Sequence, residues 1–339
     1  MAGNELAKFT TLGVGGPAAK IILAKTEDEL ISAVKAADNS GEPLLIIGGG
    51  SNVLISDNGF AGTVIKVETS GNSFEIDACS GGTLTVSAGT DWDEFVAFTI
   101  EKGLANLESL SGIPGTVGGS PIQNIGAYGH EVSEVIARVR TFDRKQQEVK
   151  TFTASQCGFG YRNSIFKTEA NRYVILDVTF QLRLGEESLP IGYVELAKEL
   201  GVEIGARVAI TKVRDAVLKL RSAKGMLIGE GIKSAGSFFM NPILDKQIAD
   251  ELPSDAPRWQ MSDGRVKTSA AWLMEHAGVS KGDQIAGAQI SPKHVLALSN
   301  AGDATAKDLI ALAKSAQEKV RGKFGITLQA EVQLVGLSL

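Results

Sequence analysis

Cysteine is nearly absent from this 339-residue chain, which holds only Cys79 and Cys157. Two such residues make neither a disulfide framework nor a cysteine-rich zinc site. Histidine is almost as scarce. The three residues, at 130, 276 and 294, show no HExxH-like spacing. Metal and thiol catalysis are therefore not expected, and no metal is assigned. No apolar run approaches the roughly 20 residues needed to span a bilayer, and Met1–Lys8 carries no basic-then-apolar leader pattern. Basic charge is not in excess: 34 Lys and Arg stand against 39 Asp and Glu, a net charge of −5. That balance gives no support for a nucleic-acid surface or a polybasic membrane anchor. The expectation is a reduced, cytoplasmic, soluble protein with no nucleic-acid partner and no membrane insertion.

What is present is an ordinary globular composition, 43% hydrophobic and 22% charged, in a chain long enough for two or three domains. Glycine is the outlier. Its 39 residues exceed the roughly 7% average and cluster in short runs without a period. Such runs mark close backbone approach or turns with positive φ.

Periodicity gives a mixed α/β reading. Lys20–Ala24 reads as a strand. Thr26 with Glu29 forms a capping box for a helix whose Leu30, Ala33, Val34 and Ala37 make one apolar stripe. Leu44–Ile47 is a buried strand, followed by Gly48-Gly49-Gly50-Ser51-Asn52 and two further strands, Val53–Ser56 and Thr63–Val67. Residues 74–88 read as two strands joined at Ser80-Gly81-Gly82. Thr90 with Asp93 starts a helix carrying Trp92, Phe95, Val96 and Thr99. Strands return at 135–142, 146–152 and 173–184, and residues 193–223 look helical. The glycine-rich stretch 225–234 reads as a linker or a lid. A second α/β segment then holds a helix at Ala270–His276, a strand at Val295–Ser299 and a helix at Thr305–Arg321 capped by Thr305 with Asp308. The last strand alternates through Ile326, Leu328, Ala330, Val332 and Leu334.

Several motifs admit two readings. The Gly48–Asn52 loop follows a buried strand and can offer backbone N–H groups to a phosphate, or be an ordinary turn. It opens a strand rather than a helix and lacks the third Rossmann glycine, and no P-loop string occurs. Residues 109–130 are almost uncharged. They are either a packed crossover or a wall against a flat ligand, with Gln123 and Asn124 offering amides. Arg162, between aromatics in Gly160–Lys167, is either cation–π packing or a two-point carboxylate clamp. Ser237 has no base partner visible and no G-x-S-x-G elbow. By alternation alone, Glu331 lies on a solvated face with Gln329 and Gln333.

Taken together, Thr10–Pro17 (TTLGVGGP), Ile46–Leu54 (IIGGGSNVL), Ser111–Gly129 (SGIPGTVGGSPIQNIGAYG), Gly160–Lys167 (GYRNSIFK), Gly236–Pro242 (GSFFMNP) and the Glu331 strand resemble the UDP-N-acetylenolpyruvoylglucosamine reductase family of peptidoglycan precursor synthesis. The strings run in family order from end to end. The resemblance implies an α+β, α/β fold: an FAD-binding unit of vanillyl-alcohol-oxidase (PCMH) type, and a smaller α/β substrate-binding domain closing over the flavin. The implied boundaries are 1–225 for the FAD half (subdomains about 1–68 and 69–225), 226–330 for the substrate domain and 331–339 for a C-terminal strand. Gly48, Gly49, Gly50, Ser51 and Asn52 would hold the FAD diphosphate, and Ile113, Gly115, Gly119, Ile122 and Gly126 would lie along the flavin. NADPH would be the hydride donor and UDP-N-acetylglucosamine enolpyruvate the acceptor. Arg162 and Glu331 match the positions that stabilise the intermediate, and Ser237 matches the proton donor. Ile191–Leu196 looks like the tyrosine-bearing segment of the first of the family's two types. Tyr193, Lys224, Asn241 and Tyr128 would contact substrate. Gly225–Ala235 is longer than the family's run between Lys224 and Ser237. With no His or Cys in either glycine string, the FAD is expected to be noncovalent. The protein is expected to be a monomer. The competing readings are another flavoenzyme on the same fold, which would not need Ser237 or Glu331, and a sugar-nucleotide-binding protein with a decayed site.

Overall fold

The computed structural model describes residues 5–77, 79–229 and 231–339. By its contacts the chain divides into two units. The larger is Ala18–Gly50 with Ala61–Leu227. The described residues of the smaller are 5–17, Ser51–Phe60 and Ile228–Leu339. This division departs from a single cut near residue 225, because two N-terminal stretches group with the C-terminal part of the chain.

The larger unit begins as the periodicity predicts. Thr26 and Glu29 form a reciprocal capping box on the helix Glu27–Ser40, and Gly41 closes it at φ 68°. Leu30, Ala33, Val34 and Ala37 are its buried residues. A three-stranded sheet places Phe60–Val67 between Ala18–Ala24 and Leu44–Ile47, with Phe60–Val67 running parallel to Leu44–Ile47. A second, antiparallel sheet runs in the order Glu148–Thr153, Ile136–Asp143, Tyr173–Leu184, Gly81–Ser87, Asn72–Asp77. Arg140 joins these parts. Its guanidinium donates to both carboxylate oxygens of Glu27 at the head of the first helix and to Asp177 on the neighbouring strand, at 2.5–2.7 Å. Beneath the antiparallel sheet, Trp92, Phe95 and Phe180 pack ring to ring at 4.9–6.1 Å.

Two local expectations need correction here. The helix Trp92–Glu101 is capped by Asp91, whose carboxylate accepts from the Glu94 N–H, and not by Thr90. Either residue suits a cap; the backbone geometry chose the one nearer the first turn. Residues 193–223 are two helices, Val194–Leu200 and Ile210–Ala223. Gly201 caps the first at φ 67°, and Gly205 turns the chain at φ 93°. The apolar stripes on either side share a phase, which hides the break from a periodicity reading.

The smaller unit holds an antiparallel sheet ordered Lys233–Ser237, Ala297–Asn300, Ala288–Ile290, Gln284–Ile285. The helix Ala306–Phe324 covers it with Leu309, Leu312, Ala313, Ala316 and Val320 buried, capped by Thr305 and Asp308 as predicted. Asp57 adds a second cap, accepting from the N–H groups of Ala306 and Lys307 at 2.7 and 3.0 Å. The predicted final strand is mostly not a strand. Ile326, Leu328 and Val332 are buried in alternation, but only Gln333–Val335 forms a ladder, parallel to Val53–Ile55. Alternation reports which side is buried. A ladder also needs a neighbour, and before Gln333 the chain makes, among the described residues, one isolated bridge, from Ala330 to Phe239.

Candidate active site

In the larger unit, the buried strand Leu44–Ile47 ends in a loop that requires glycine. A Cβ on Gly48 would overlap the Thr116 hydroxyl, and one on Gly49 would lie 2.7 Å from the Gly115 Cα. Gly50 follows at φ 63°, a left-handed conformation. The Lys66 ammonium donates to the Gly48 carbonyl at 2.7 Å. The result is a bare backbone edge with a cation behind it. Such an edge fits a diphosphate, whose oxygens take backbone N–H donors and favour nearby positive charge.

The facing string is held by its own glycines. Gly118 donates to the Ala88 carbonyl at 2.8 Å, and a Cβ there would sit 2.6 Å from the Ala88 Cβ. The Gly115 carbonyl accepts from the Trp92 N–H at 3.1 Å. Gly112, at φ 69°, donates to Asp93 at 2.6 Å and accepts from Arg221 at 3.0 Å. Burial pushes the Asp93 carboxyl upward, but the Arg214 guanidinium and the Gly112 N–H outweigh it and hold Asp93 below its ordinary value. Of the predicted flavin-side residues, Ile113 packs partly on the core, while Ile122 is 40% exposed. An exposed branched side chain beside glycines is a surface suited to a flat apolar ligand.

Arg162 belongs to the same assembly. It sits at φ 51°, with Asn124 at 45° and Tyr128 at 51°. Three non-glycine residues in this sparsely allowed region are backbone strain of the kind that clusters at functional sites. The Arg162 guanidinium donates to the Gly126 carbonyl at 2.8 Å and lies over the Tyr161 ring at 5.4 Å. Ser164 donates to the Ile122 carbonyl at 2.6 Å, binding Gly160–Lys167 to the string. Asn124 is not a ligand amide. Its buried side chain donates to Glu131 and to the Gly160 carbonyl and accepts from the Ser133 N–H.

Tyr128, Tyr193 and Lys224 come together in this unit. The two rings meet edge to face at 5.5 Å, the Lys224 ammonium lies 6.0 Å from the Tyr128 ring, and Glu195 pairs with Lys224 at 2.5 Å. Burial pushes the Tyr128 phenol up to about 12 and raises that of Tyr193. Arg221 is nine-tenths buried beneath them, and that burial lowers its pKa. Neither Arg221 nor Lys66 was singled out by motif. The signal for Arg221 was present: it falls four residues after Val217, on the buried stripe of its helix.

The smaller unit holds Ser237, Glu331, Asn52 and Asn241. The edge strand carries a bulge between Ser234 and Ser237, with Gly236 at φ 71°. Bulges re-aim the side chain that follows them. Phe238 and Phe239 then plunge into the core, ring to ring at 5.1 Å, leaving Ser237 half-buried. The Glu331 N–H donates to the Phe238 carbonyl at 2.8 Å, so Ser237 and Glu331 stand on adjoining backbone. Glu331 is half-buried, not the solvated position that alternation suggests. The Asn52 amide donates to the Glu331 carbonyl at 3.3 Å, and the Asn52 carbonyl accepts from Gln333. Asn241 accepts from the Ala270 N–H at 2.9 Å, at the head of the helix Ala270–His276. Among the described residues, no group of three or more His, Cys, Asp or Glu is placed to hold a metal ion, and no helix is long and apolar enough to cross a membrane.

Comparison with known proteins bears on both units. Residues 18–151 match the family described as "FAD binding domain", and residues 228–335 match "UDP-N-acetylenolpyruvoylglucosamine reductase, C-terminal domain". The UDP-N-acetylenolpyruvoylglucosamine reductase of Cutibacterium acnes is 53% identical, covering 100% of this chain and 92% of its own. That of Thermobifida fusca is 47% identical, over 98% and 97%. The crystal structure of the corresponding reductase from Thermus caldophilus matches with a TM-score of 0.68 at 26% identity, over 98% of this chain and 97% of its own.

Proposed function

The chain belongs to the UDP-N-acetylenolpyruvoylglucosamine reductase family of FAD-dependent oxidoreductases, with a PCMH-type FAD-binding domain and a C-terminal substrate-binding domain, and from that premise we propose that it reduces UDP-N-acetylglucosamine enolpyruvate to UDP-N-acetylmuramate with NADPH. The observation that carries the reading is the 53% identity to one such reductase along the whole chain. We assign the protein to the tyrosine-bearing type of the family, with noncovalent FAD, a cytoplasmic site of action and a monomeric state.

FAD, held by the Gly48–Asn52 loop and the Ile113–Gly126 string, would supply hydride chemistry between NADPH and C3 of the enolpyruvyl group. The chain's own residues then manage charge and proton. Hydride at C3 leaves negative charge spread over C2 and its carboxylate. Arg162, a permanent cation with a planar fork of donors, is the group suited to hold that charge. Its left-handed backbone and its bond to the Gly126 carbonyl fix the fork in place before substrate arrives. Ser237 gives the proton to C2. Glu331, half-buried and one backbone hydrogen bond from the Ser237–Phe238 turn, stabilises the intermediate with Arg162; protonated, it can donate to the developing anion. Tyr128, Tyr193, Lys224 and Asn241 hold the sugar nucleotide, the first three as one cluster of phenols and an ammonium suited to a diphosphate.

In functional terms, we take residues 1–225 as the FAD half, 226–330 as the substrate domain and 331–339 as the C-terminal segment that carries Glu331, of which Gln333–Val335 pairs as a strand. Ser51 and Asn52 take part in diphosphate binding with Gly48–Gly50, and Ile113, Gly115, Gly119, Ile122 and Gly126 line the flavin.

The test is anaerobic NADPH consumption by the purified holoprotein, with and without the enolpyruvyl sugar nucleotide. Sustained consumption only with that compound is the expected result; none with it sinks the substrate assignment. In Ser237→Ala, flavin reduction by NADPH survives while sugar-nucleotide reduction collapses. Equal loss of both half-reactions would remove Ser237 from the proton step.

A further inference from the structure

Lys66 is the penultimate residue of the strand Phe60–Val67, directly across from Ile47 in the parallel register. Its side chain turns toward the end of the neighbouring strand and gives its ammonium to the Gly48 carbonyl at 2.7 Å. The cation is half-buried there. Burial lowers its pKa, and Glu68 opposes that effect. Keeping a charge in such a place is unfavourable unless something rewards it. A lone backbone carbonyl does not need an ammonium; a neutral donor or water would satisfy it equally well.

The carbonyl of Gly48 and the N–H of Gly49 belong to one planar peptide unit, and they point in opposite directions. Whatever grips the oxygen therefore aims the N–H. A positive charge on the oxygen also polarises the peptide, which makes that N–H a stronger donor. The other face of the loop is closed by Gly115 and Thr116, against which Gly48 and Gly49 already pack with no room for a Cβ. Aim and polarisation both act on the edge that the proposed function gives to the flavin diphosphate.

We propose that Lys66 is a positioning residue for the cofactor diphosphate, acting through the Gly48–Gly49 peptide to orient and strengthen the N–H that an anionic oxygen would accept. This rests on the reading that the Gly48–Asn52 loop holds that diphosphate. The role is electrostatic, so a neutral donor in its place does not substitute for it.

The test is equilibrium binding to the flavin-stripped full chain, followed by flavin fluorescence, with FAD and with riboflavin, which lacks phosphate. The proteins are wild type, Lys66→Met, Lys66→Gln and Lys66→Arg. The wild type is expected to prefer FAD strongly. Lys66→Met should lose about tenfold to a hundredfold in FAD affinity, the range of a charge-assisted hydrogen bond, with riboflavin affinity unchanged. Lys66→Gln should resemble Lys66→Met, and Lys66→Arg should recover most of the loss. The proposal is overturned if Lys66→Met binds FAD as the wild type does, if Lys66→Gln is as good as lysine, or if FAD and riboflavin weaken by the same factor, which would be a fold effect. If the wild type itself binds riboflavin as tightly as FAD, the diphosphate does not occupy the loop, and the underlying reading falls instead.

Discussion

Replacing Asp93 with Asn would test whether the flavin-side string is held in place by charge. Asp93 opens the helix Trp92–Glu101 and makes three short hydrogen bonds. Both oxygens take the Arg214 guanidinium, at 2.6 and 2.8 Å, and one also takes the Gly112 N–H at 2.6 Å. Asn is nearly the same size, so no cavity forms. With its amide oxygen in the Oδ1 position it can keep the bonds from Gly112 and from one Arg214 nitrogen, without the charge, but its NH2 would face the other guanidinium donor. One charge-assisted bond is lost and the other two fall to neutral-acceptor strength, worth about 3 kcal/mol together by the usual increments. Asp93 remains a third exposed, and water re-solvates part of the freed Arg214, which brings the expected loss to about 2 kcal/mol. The sign with pH follows from the depressed Asp93 pKa. Its stabilisation is present above the unfolded-state value of about 3.9 and disappears as pH falls through the lower folded value. Urea unfolding of wild type and Asp93→Asn at neutral pH should therefore differ by about 2 kcal/mol, and the gap should close toward strongly acidic pH. Because the Gly112 anchor loses its charge, FAD should also bind more weakly. A difference below about 0.5 kcal/mol, or one independent of pH, would refute the argument that this ion pair fixes the string.

Four further outcomes follow from the same structure. Arg162→Lys cannot keep a two-point fork, so stopped-flow flavin reduction by NADPH should persist while reoxidation by the enolpyruvyl sugar nucleotide slows by about a hundredfold to a thousandfold. Asp57→Ala removes two capping bonds from the helix Ala306–Phe324 and should lower stability by about 2 kcal/mol in urea titrations. Gly59→Ala combines φ 76° with a Cβ overlapping the Pro17 carbonyl; it should lose more than about 3 kcal/mol, read as a lowered melting temperature or failure to fold. Tyr128→Phe should raise the KM for the sugar nucleotide. Since the Tyr128 phenol titrates only near about 12, the pH profile of kcat/KM up to about pH 10 should keep its wild-type shape.

Much of the fold was legible because its signals are local. The capping boxes at Thr26–Glu29 and Thr305–Asp308 each close within one helical turn, and both occur as the spacing predicts. The stripes Leu30–Ala37 and Leu309–Val320 are period-3.6 patterns that need only one core to face. The glycine loop at 48–50 was legible as a bare backbone edge, though not as an anion site rather than a turn. Where local signals misled, a neighbour was missing or a competitor stood beside the right residue. Asp91 outcompeted Thr90, Gly201 ended a helix whose stripe continued beyond it, and residues 326–332 found no more than the isolated bridge at Ala330.

The sequence by itself determined most of the helices and strands, the glycine runs that a bare backbone needs, and, through strings such as SGIPGTVGGSPIQNIGAYG, which family the chain resembles. Only the tertiary structure decided what each functional side chain acts on. Lys66 meets the Gly48 carbonyl from another strand, Arg221 reaches Gly112 across 109 residues, and Asn52 holds the Glu331 backbone across 279. Capping and periodicity act over a few residues, and any short window records them. A partner hundreds of residues away exists only once the chain has folded, and no pattern of spacing encodes it.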